Sequence, residues 1–296
     1  MSWARNLGLG AAAVALTATA AFGHGVVGDY QFIDPMVAED ANPKNELVAA
    51  RPLWFRTSEG REFAYGFSVE KTISENSSLL VGSRWADFAP RDEDALPASG
   101  FTSVELLLKY AFLTLPDQRM RMSIGFEMEL PTGARGVGES AVHVGPLLLW
   151  AKAFADLPDW PVVRYLRPVA FQGNVGYSAA SGGPDAQELV FNNVVLYSIP
   201  YLSSSVHDLG LPWPLRNLFL YTEFNYEQLI AGPAGERFPM WRITPGIAYV
   251  DRYLEISVAT QAPLNGAAGP QTHAAVLALI DIFIDDLIPQ TKWTPF

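Results

Sequence analysis

The sequence predicts an all-β protein, a transmembrane antiparallel β-barrel of about twelve strands. Segments of roughly ten residues with period-2 hydrophobicity recur between Gly, Pro, Asp and Ser clusters, as membrane strands require. Beyond the first residues no apolar run reaches the ~18 residues that mark a spanning helix. Of 296 residues, 49% are hydrophobic, 12% aromatic and only 17% charged, a balance suited to a surface with two lipid–water interfaces.

The clearest alternation is RMRMSIGFEMELP, Arg119 to Pro131. Met120, Met122, Ile124, Phe126, Met128 and Leu130 fall on one side; Arg121, Ser123, Gly125, Glu127 and Glu129 fall on the other. A strand with one apolar and one charged face shows each to a different medium, here lipid outside and a polar lumen inside. On this reading Arg at Ile124 is costly, whereas Arg at Ser123 is tolerated.

In chain order, residues 1–23 carry Arg5, the apolar run Leu7 to Ala21 and the small-residue end Ala21-Phe22-Gly23, which reads as a cleaved secretory signal peptide leaving His24 first. Residues 24–46 are a polar periplasmic segment that could fold into the lumen as a plug. The barrel is expected over 47–284. Its strands are Leu47 to Thr57, Glu62 to Ile73, Ser78 to Phe88, Phe101 to Leu115, Arg119 to Pro131, Ala141 to Phe154, Leu166 to Ser178, Leu189 to Ile199, Leu218 to Ile230, Met240 to Val250, Tyr253 to Ala262 and His273 to Ile284. Pro146 and Pro245 lack an N–H for the ladder and are expected at bulges or strand ends.

Tight connections at Ser74 to Ser77, Pro116 to Arg119 and Asp251-Arg252 are expected in the periplasm, and longer polar ones at Ala89 to Gly100, Thr132 to Ser140 and Ala179 to Glu188 outside. An even strand count then returns both ends to the periplasm. The long inner connection Pro200 to Asn217 is expected to pack under the barrel through Leu209, Leu211 and Trp213. Residues 285–296 form a periplasmic tail; Phe296 is the kind of terminal aromatic that the outer-membrane insertion machinery reads, although Pro289 and Pro295 break any strand there.

These residues carry a resemblance. FIDPMVAEDANPKNEL (Phe32 to Leu47), LPTG (Leu130 to Gly133), TPGIAY (Thr244 to Tyr249), QAPLNG (Gln261 to Gly266) and FIDDLIP (Phe283 to Pro289) resemble the exported barrel family assigned to the meta pathway of phenol degradation. That family is loosely similar to the hydrophobic-compound transporters of the outer membrane. The resemblance implies an outer-membrane channel of a Gram-negative bacterium for passive uptake of small hydrophobic or aromatic solutes. It supplies no catalytic residue.

Strand parity sorts the inward positions. The polar lumen set is Glu70, Glu105, Lys109, Arg121, Glu127, Glu129, Gln172, Asn174, Glu223, Asn225, Arg242, Glu255 and Asp281. The charges of neighbouring strands, Lys109 and Arg121 with Glu105, Glu127 and Glu129, either neutralise one another or line a water-filled pore. The apolar lumen set is Leu107, Leu147, Leu149, Phe219, Tyr221, Leu277, Leu279 and Phe283. It forms either a track for hydrophobic ligands or a wall packed against residues 24–46.

Other chemistries find little support. Ser140 and His143 have an odd separation on a strand and so point to opposite faces, which denies them a nucleophile–base pair. His143 and His273 lie on strands about half a barrel apart. With no cysteine there is no thiolate zinc site, and no metal or cofactor is assigned. Acidic residues outnumber Lys and Arg by 31 to 20, which argues against nucleic-acid binding. The partners expected are outer-membrane lipid, the insertion machinery and the solute. The rivals to a channel are a closed docking barrel working through its periplasmic segments and a lipid-hydrolysing barrel enzyme.

Overall fold

Alternating segments become strands long enough to cross a bilayer. A computed structural model describes residues 25–92, 94–181, 187–231 and 238–288. Residues 1–24, 93, 182–186, 232–237 and 289–296 lie outside the described residues, and with them the expected signal peptide and most of the expected C-terminal tail. The barrel strands are β1 (Glu46–Arg56), β2 (Gly60–Ser74), β3 (Ser77–Pro90), β4 (Val104–Leu115), β5 (Met120–Leu130) and β6 (Val142–Ala153). They continue as β7 (Val169–Ser181), β8 (Gln187–Ser198), β9 (Leu218–Ala231), β10 (Met240–Val250), β11 (Leu254–Pro263) and β12 (Ala274–Phe283). Each pairs antiparallel with the next, and β12 pairs with β1 from Ala274↔Arg56 to Phe283↔Glu46. The result is a closed antiparallel barrel of twelve strands without a free edge.

The two faces are physically distinct. Trp54, Phe63, Phe67, Leu108, Tyr110, Phe126, Ile247 and Val258 project outward and are exposed. Ile124 is 51% exposed, whereas its neighbour Ser123 is fully buried, as period-2 alternation demands. An apolar belt of this extent has a hydrocarbon partner; in water it would be an aggregation surface.

Several details depart from expectation. The segment from Phe101 to Leu115 is not one strand: a short strand, Ala98–Phe101, pairs with the outer half of β3, and β4 begins only at Val104. Between them Ser103 is turned inward, its Oγ accepting from the Glu139 N–H at 2.9 Å.

The prolines produce neither bulge nor strand end. Leu147↔Gly176 and Val144↔Ala179 keep the same register, as do Gly246↔Ala259 and Ile243↔Ala262, and only the pairs between them lapse. Pro146 and Pro245 keep their partners Phe126 and Thr222 on the other side. A missing N–H thus interrupts one ladder locally, and the opposite ladder holds the strand in line.

The inner connection after β8 is seated by other residues than expected. Ile199–Tyr201 and Leu202–Val206 form a short helical segment whose Tyr201 and Leu202 are buried. Leu209 and Trp213 remain exposed, and the Trp213 indole N–H donates to the Tyr249 hydroxyl at 2.9 Å. Tyr201 succeeds because it reaches the Tyr30 ring, 5.2 Å away, inside the barrel mouth.

Tyr30 belongs to the segment that fills the lumen. Residues 25–45 pass inside the barrel, burying Val27, Tyr30, Phe32, Ile33, Met36, Ala38 and Ala41 in one apolar cluster with wall residues such as Leu107, Leu149, Phe219 and Leu277. The segment opens with a small hairpin, Val26–Val27 against Tyr30–Gln31. Its turn residue Gly28 has φ +67, and a Cβ there would lie 2.4 Å from the Pro116 carbonyl oxygen of the β4–β5 turn. Only glycine fits both the left-handed backbone and this close approach.

Candidate functional site: the lumen and its occupant

The inward polar side chains act largely as sockets for the backbone of residues 25–45. A chain without regular structure carries free N–H and C=O groups, which must be met when buried. The Glu223 carboxylate accepts three successive N–H groups, from Met36 at 2.6 Å, Val37 at 3.1 Å and Ala38 at 2.9 Å. Glu255 accepts from the Asp34 N–H at 3.0 Å, and Asn174 from the Glu39 N–H at 3.0 Å. Gln172 donates to the Ile33 carbonyl at 2.9 Å, Ser123 to that of Ala41 at 2.5 Å, and the Tyr30 hydroxyl to that of Pro168 at 2.6 Å. Asn225 extends the polar wall, accepting from the Thr244 hydroxyl at 2.8 Å and donating to Asn192 at 3.2 Å.

Charge is balanced through the same segment. Lys109 lies 2.8 Å from a Glu70 oxygen and 3.4 Å from one of Asp40. Lys44 pairs with Asp34, with Asp40 at 3.0 Å and with Glu46 at 2.8 Å. Arg121 donates to the Asn42 side chain at 3.0 Å. The sequence-based pairing of Lys109 and Arg121 with Glu105, Glu127 and Glu129 is therefore corrected. Both cations turn to the plug or to a barrel residue that itself touches the plug, and no ion pair to those three glutamates is found among the described residues.

Outward of the plug lies a cavity of about 350 Å³. Glu105, Glu127 and Glu129 line one part of its wall, and Arg51, Arg84, Glu227 and Arg242 line others. Arg242 is tied to Glu227 at 2.7 Å. Glu39, Asp40 and Pro35 of the plug help line it. The lining of this vestibule is predominantly acidic, unlike the packed region further inward.

The apolar lumen set takes its place in that packed region, with Leu147 at its boundary lining the cavity as well. Leu107, Leu147, Leu149, Phe219, Tyr221, Leu277, Leu279 and Phe283 are all buried, and they belong to the cluster that includes the plug's apolar side chains. Asp281, on β12 opposite Glu255 of β11, is buried beside the plug. His143 reaches Glu139 at 3.4 Å, while His273 is exposed at the outer rim.

Sequence reasoning missed the occupant's own charges, Asp34, Glu39, Asp40 and Lys44. The stretch DPMVAEDANPKNE contains them. Its signal is the mixture of both signs with two prolines in a segment that cannot be a strand, consistent with a chain that must be neutralised by its container.

The fold defines a membrane-spanning barrel of the outer-membrane type, closed by twelve strands and occupied by its own N-terminal segment. An outer-membrane channel from Pseudomonas putida F1 has the same architecture, with a TM-score of 0.55 at 11% identity over 85% of this chain and 99% of that chain. The NanC porin, at 0.49, 10% identity and 80% and 98% coverage, and the KdgM porin, at 0.45, 10% identity and 79% and 97% coverage, are less alike. No protein-family model and no curated protein matches the chain. At such identities the likeness is one of fold.

Proposed function

We propose that this protein is an outer-membrane channel for small molecules, exported by a cleaved leader and gated by its N-terminal segment. The observation that carries the reading is the division of the lumen into an acidic outer vestibule and an inner apolar wall covered by residues 25–45. Displacing the segment opens a path along Leu107, Leu147, Leu149 and Tyr221, an apolar and aromatic surface. That surface, together with the resemblance to the phenol-pathway barrel family, supports small hydrophobic or aromatic solutes as cargo. The vestibule glutamates add a preference for solutes carrying positive charge.

Uptake into proteoliposomes tests this. An aromatic amine should enter faster than an aromatic carboxylate of the same size, and both faster than a sugar. If none enters above protein-free vesicles, the closed docking barrel takes the channel's place.

A further inference from the structure

The buried carboxyls of the lumen outnumber its buried ammonium groups, and one of them stands apart from the rest. Asp34, Asp40, Glu46, Glu70, Glu223, Glu255 and Asp281 are all buried, against the two buried ammonium groups Lys44 and Lys109, and Glu223 is met by its three backbone N–H groups. Asp34, Asp40 and Glu46 share Lys44; Asp40 and Glu70 share Lys109; Glu255 receives the Asp34 N–H and the Ser257 hydroxyl. Asp281 is fully buried; neither of its oxygens meets an N–H, hydroxyl or ammonium donor, and the polar group beside it is the Glu46 carboxyl. Burying a carboxylate without a donor or a cation is among the costliest arrangements in a protein.

What faces Asp281 is more carboxylate. One oxygen each from Asp34, Glu46 and Asp281 lies within 4.8 Å of the others. Oxygens bound to one calcium ion at about 2.3–2.6 Å are separated by no more than about this distance. The three residues come from three segments, the plug, the start of β1 and the end of β12, and β1 and β12 are paired where the barrel closes. Lys44 brings a single positive charge to this trio while also serving Asp40.

We infer that Asp34, Glu46 and Asp281 hold a divalent cation of the hard, oxygen-preferring class, best matched by Ca²⁺, which fastens the N-terminal segment to the closing seam of the barrel. Carboxylates drawn from separate segments suit calcium's tolerance of irregular coordination better than the strict octahedron of magnesium. The ion supplies the positive charge that Asp281 lacks and couples plug retention to barrel closure. The inference rests on the plug's seat, not on whether the lumen conducts.

The test uses the full mature chain refolded in detergent free of lipopolysaccharide, stripped with EDTA and exchanged into metal-free buffer. Titration calorimetry with CaCl₂ should give one ion per chain, and added Ca²⁺ should raise the temperature at which the folded band is lost on gels. Asp281→Asn and Glu46→Gln should each weaken binding about tenfold or more, since each removes one of three charged ligands. Asp117→Asn, in the exposed β4–β5 turn, should bind as the wild type does. Absence of binding by the wild type at millimolar Ca²⁺ overturns the inference, whether or not the variants refold. So does equal binding by the wild type and Asp281→Asn. A wild type that binds no ion, with an Asp281→Asn variant that melts higher, would assign the site to two carboxyls sharing a proton.

Discussion

The Lys109 ammonium, fully buried on β4, lies 2.8 Å from a carboxylate oxygen of Glu70 on β2 and reaches across to Asp40 of the plug. β3 separates these two strands, so the pair spans the curvature of the wall and fixes the plug to it. Removing one partner leaves the other charge buried. Lys109→Met should therefore cost about 3–5 kcal/mol of barrel stability, whereas Lys109→Met with Glu70→Gln should cost less. Urea titrations followed by band shift on unheated gels measure both; a double variant as unstable as the single one would refute the coupling.

The two faces of β5 respond differently to charge. Arg at Ile124, mid-strand and lipid-facing, should destabilise by about 2–4 kcal/mol. The sequence suggested that Arg at Ser123 is harmless, but Ser123 is buried and donates to the Ala41 carbonyl, so Arg there should expel the plug locally. Arg at Glu127, which lines the vestibule, is the tolerated inward substitution. Folded yield from the three variants should follow Glu127, then Ser123 and Ile124; equal yields would refute the face assignment.

Arg119 ties the plug's hairpin to the β4–β5 turn. Its guanidinium meets both Asp29 oxygens, at 2.7 and 3.1 Å, and holds the Asp29 carboxyl below its usual range. A carboxyl lowered in the folded state stabilises it above the unfolded pKa and loses that contribution as pH falls through the lowered value. Because Asp29 is half exposed, the pair is worth under about 1 kcal/mol. The protection of amides 26–31, measured as exchange relative to the intrinsic rate at each pH, should fall in strongly acidic buffer, and Arg119→Met should abolish that fall without unfolding the barrel. Unchanged pH dependence in the variant would assign the effect to another group.

Glu127 and Glu129 face the vestibule without a paired cation among the described residues, so their charge acts on whatever passes. Changing both to Gln should reduce the preference for cations over anions measured from reversal potentials, while band shift on gels stays that of a folded barrel. Retained selectivity would place the filter elsewhere, for example at Glu39 or Asp40.

Much of this molecule was legible in its residues because period-2 alternation is a local property. Met120 to Leu130 declares its two faces without knowledge of any other strand, and closing the barrel then follows from parity. The partners were not legible, because ion pairing is long-range. Nothing near Lys109 in sequence points to Asp40, and nothing near Asp281 points to Asp34. The inward apolar set was equally ambiguous: Leu107 and Leu149 suit a ligand track or a packed wall, and only the path of residues 25–45 distinguishes the two. Trp213 misled because a large aromatic in a long connection suggests burial, whereas here it stays exposed and its indole N–H is met by the Tyr249 hydroxyl.

Conductance with the plug reversibly locked tests the central claim most directly. The chain has no cysteine, and Ser123 on the wall touches the Ala41 backbone, so Ala41→Cys with Ser123→Cys introduces a single disulfide between plug and barrel. In planar bilayers the reduced protein should show cation-selective openings, and oxidation should abolish them, with recovery on adding reductant. Equal conductance in both states, or none in either with the barrel folded, would contradict a channel gated by its N-terminal segment.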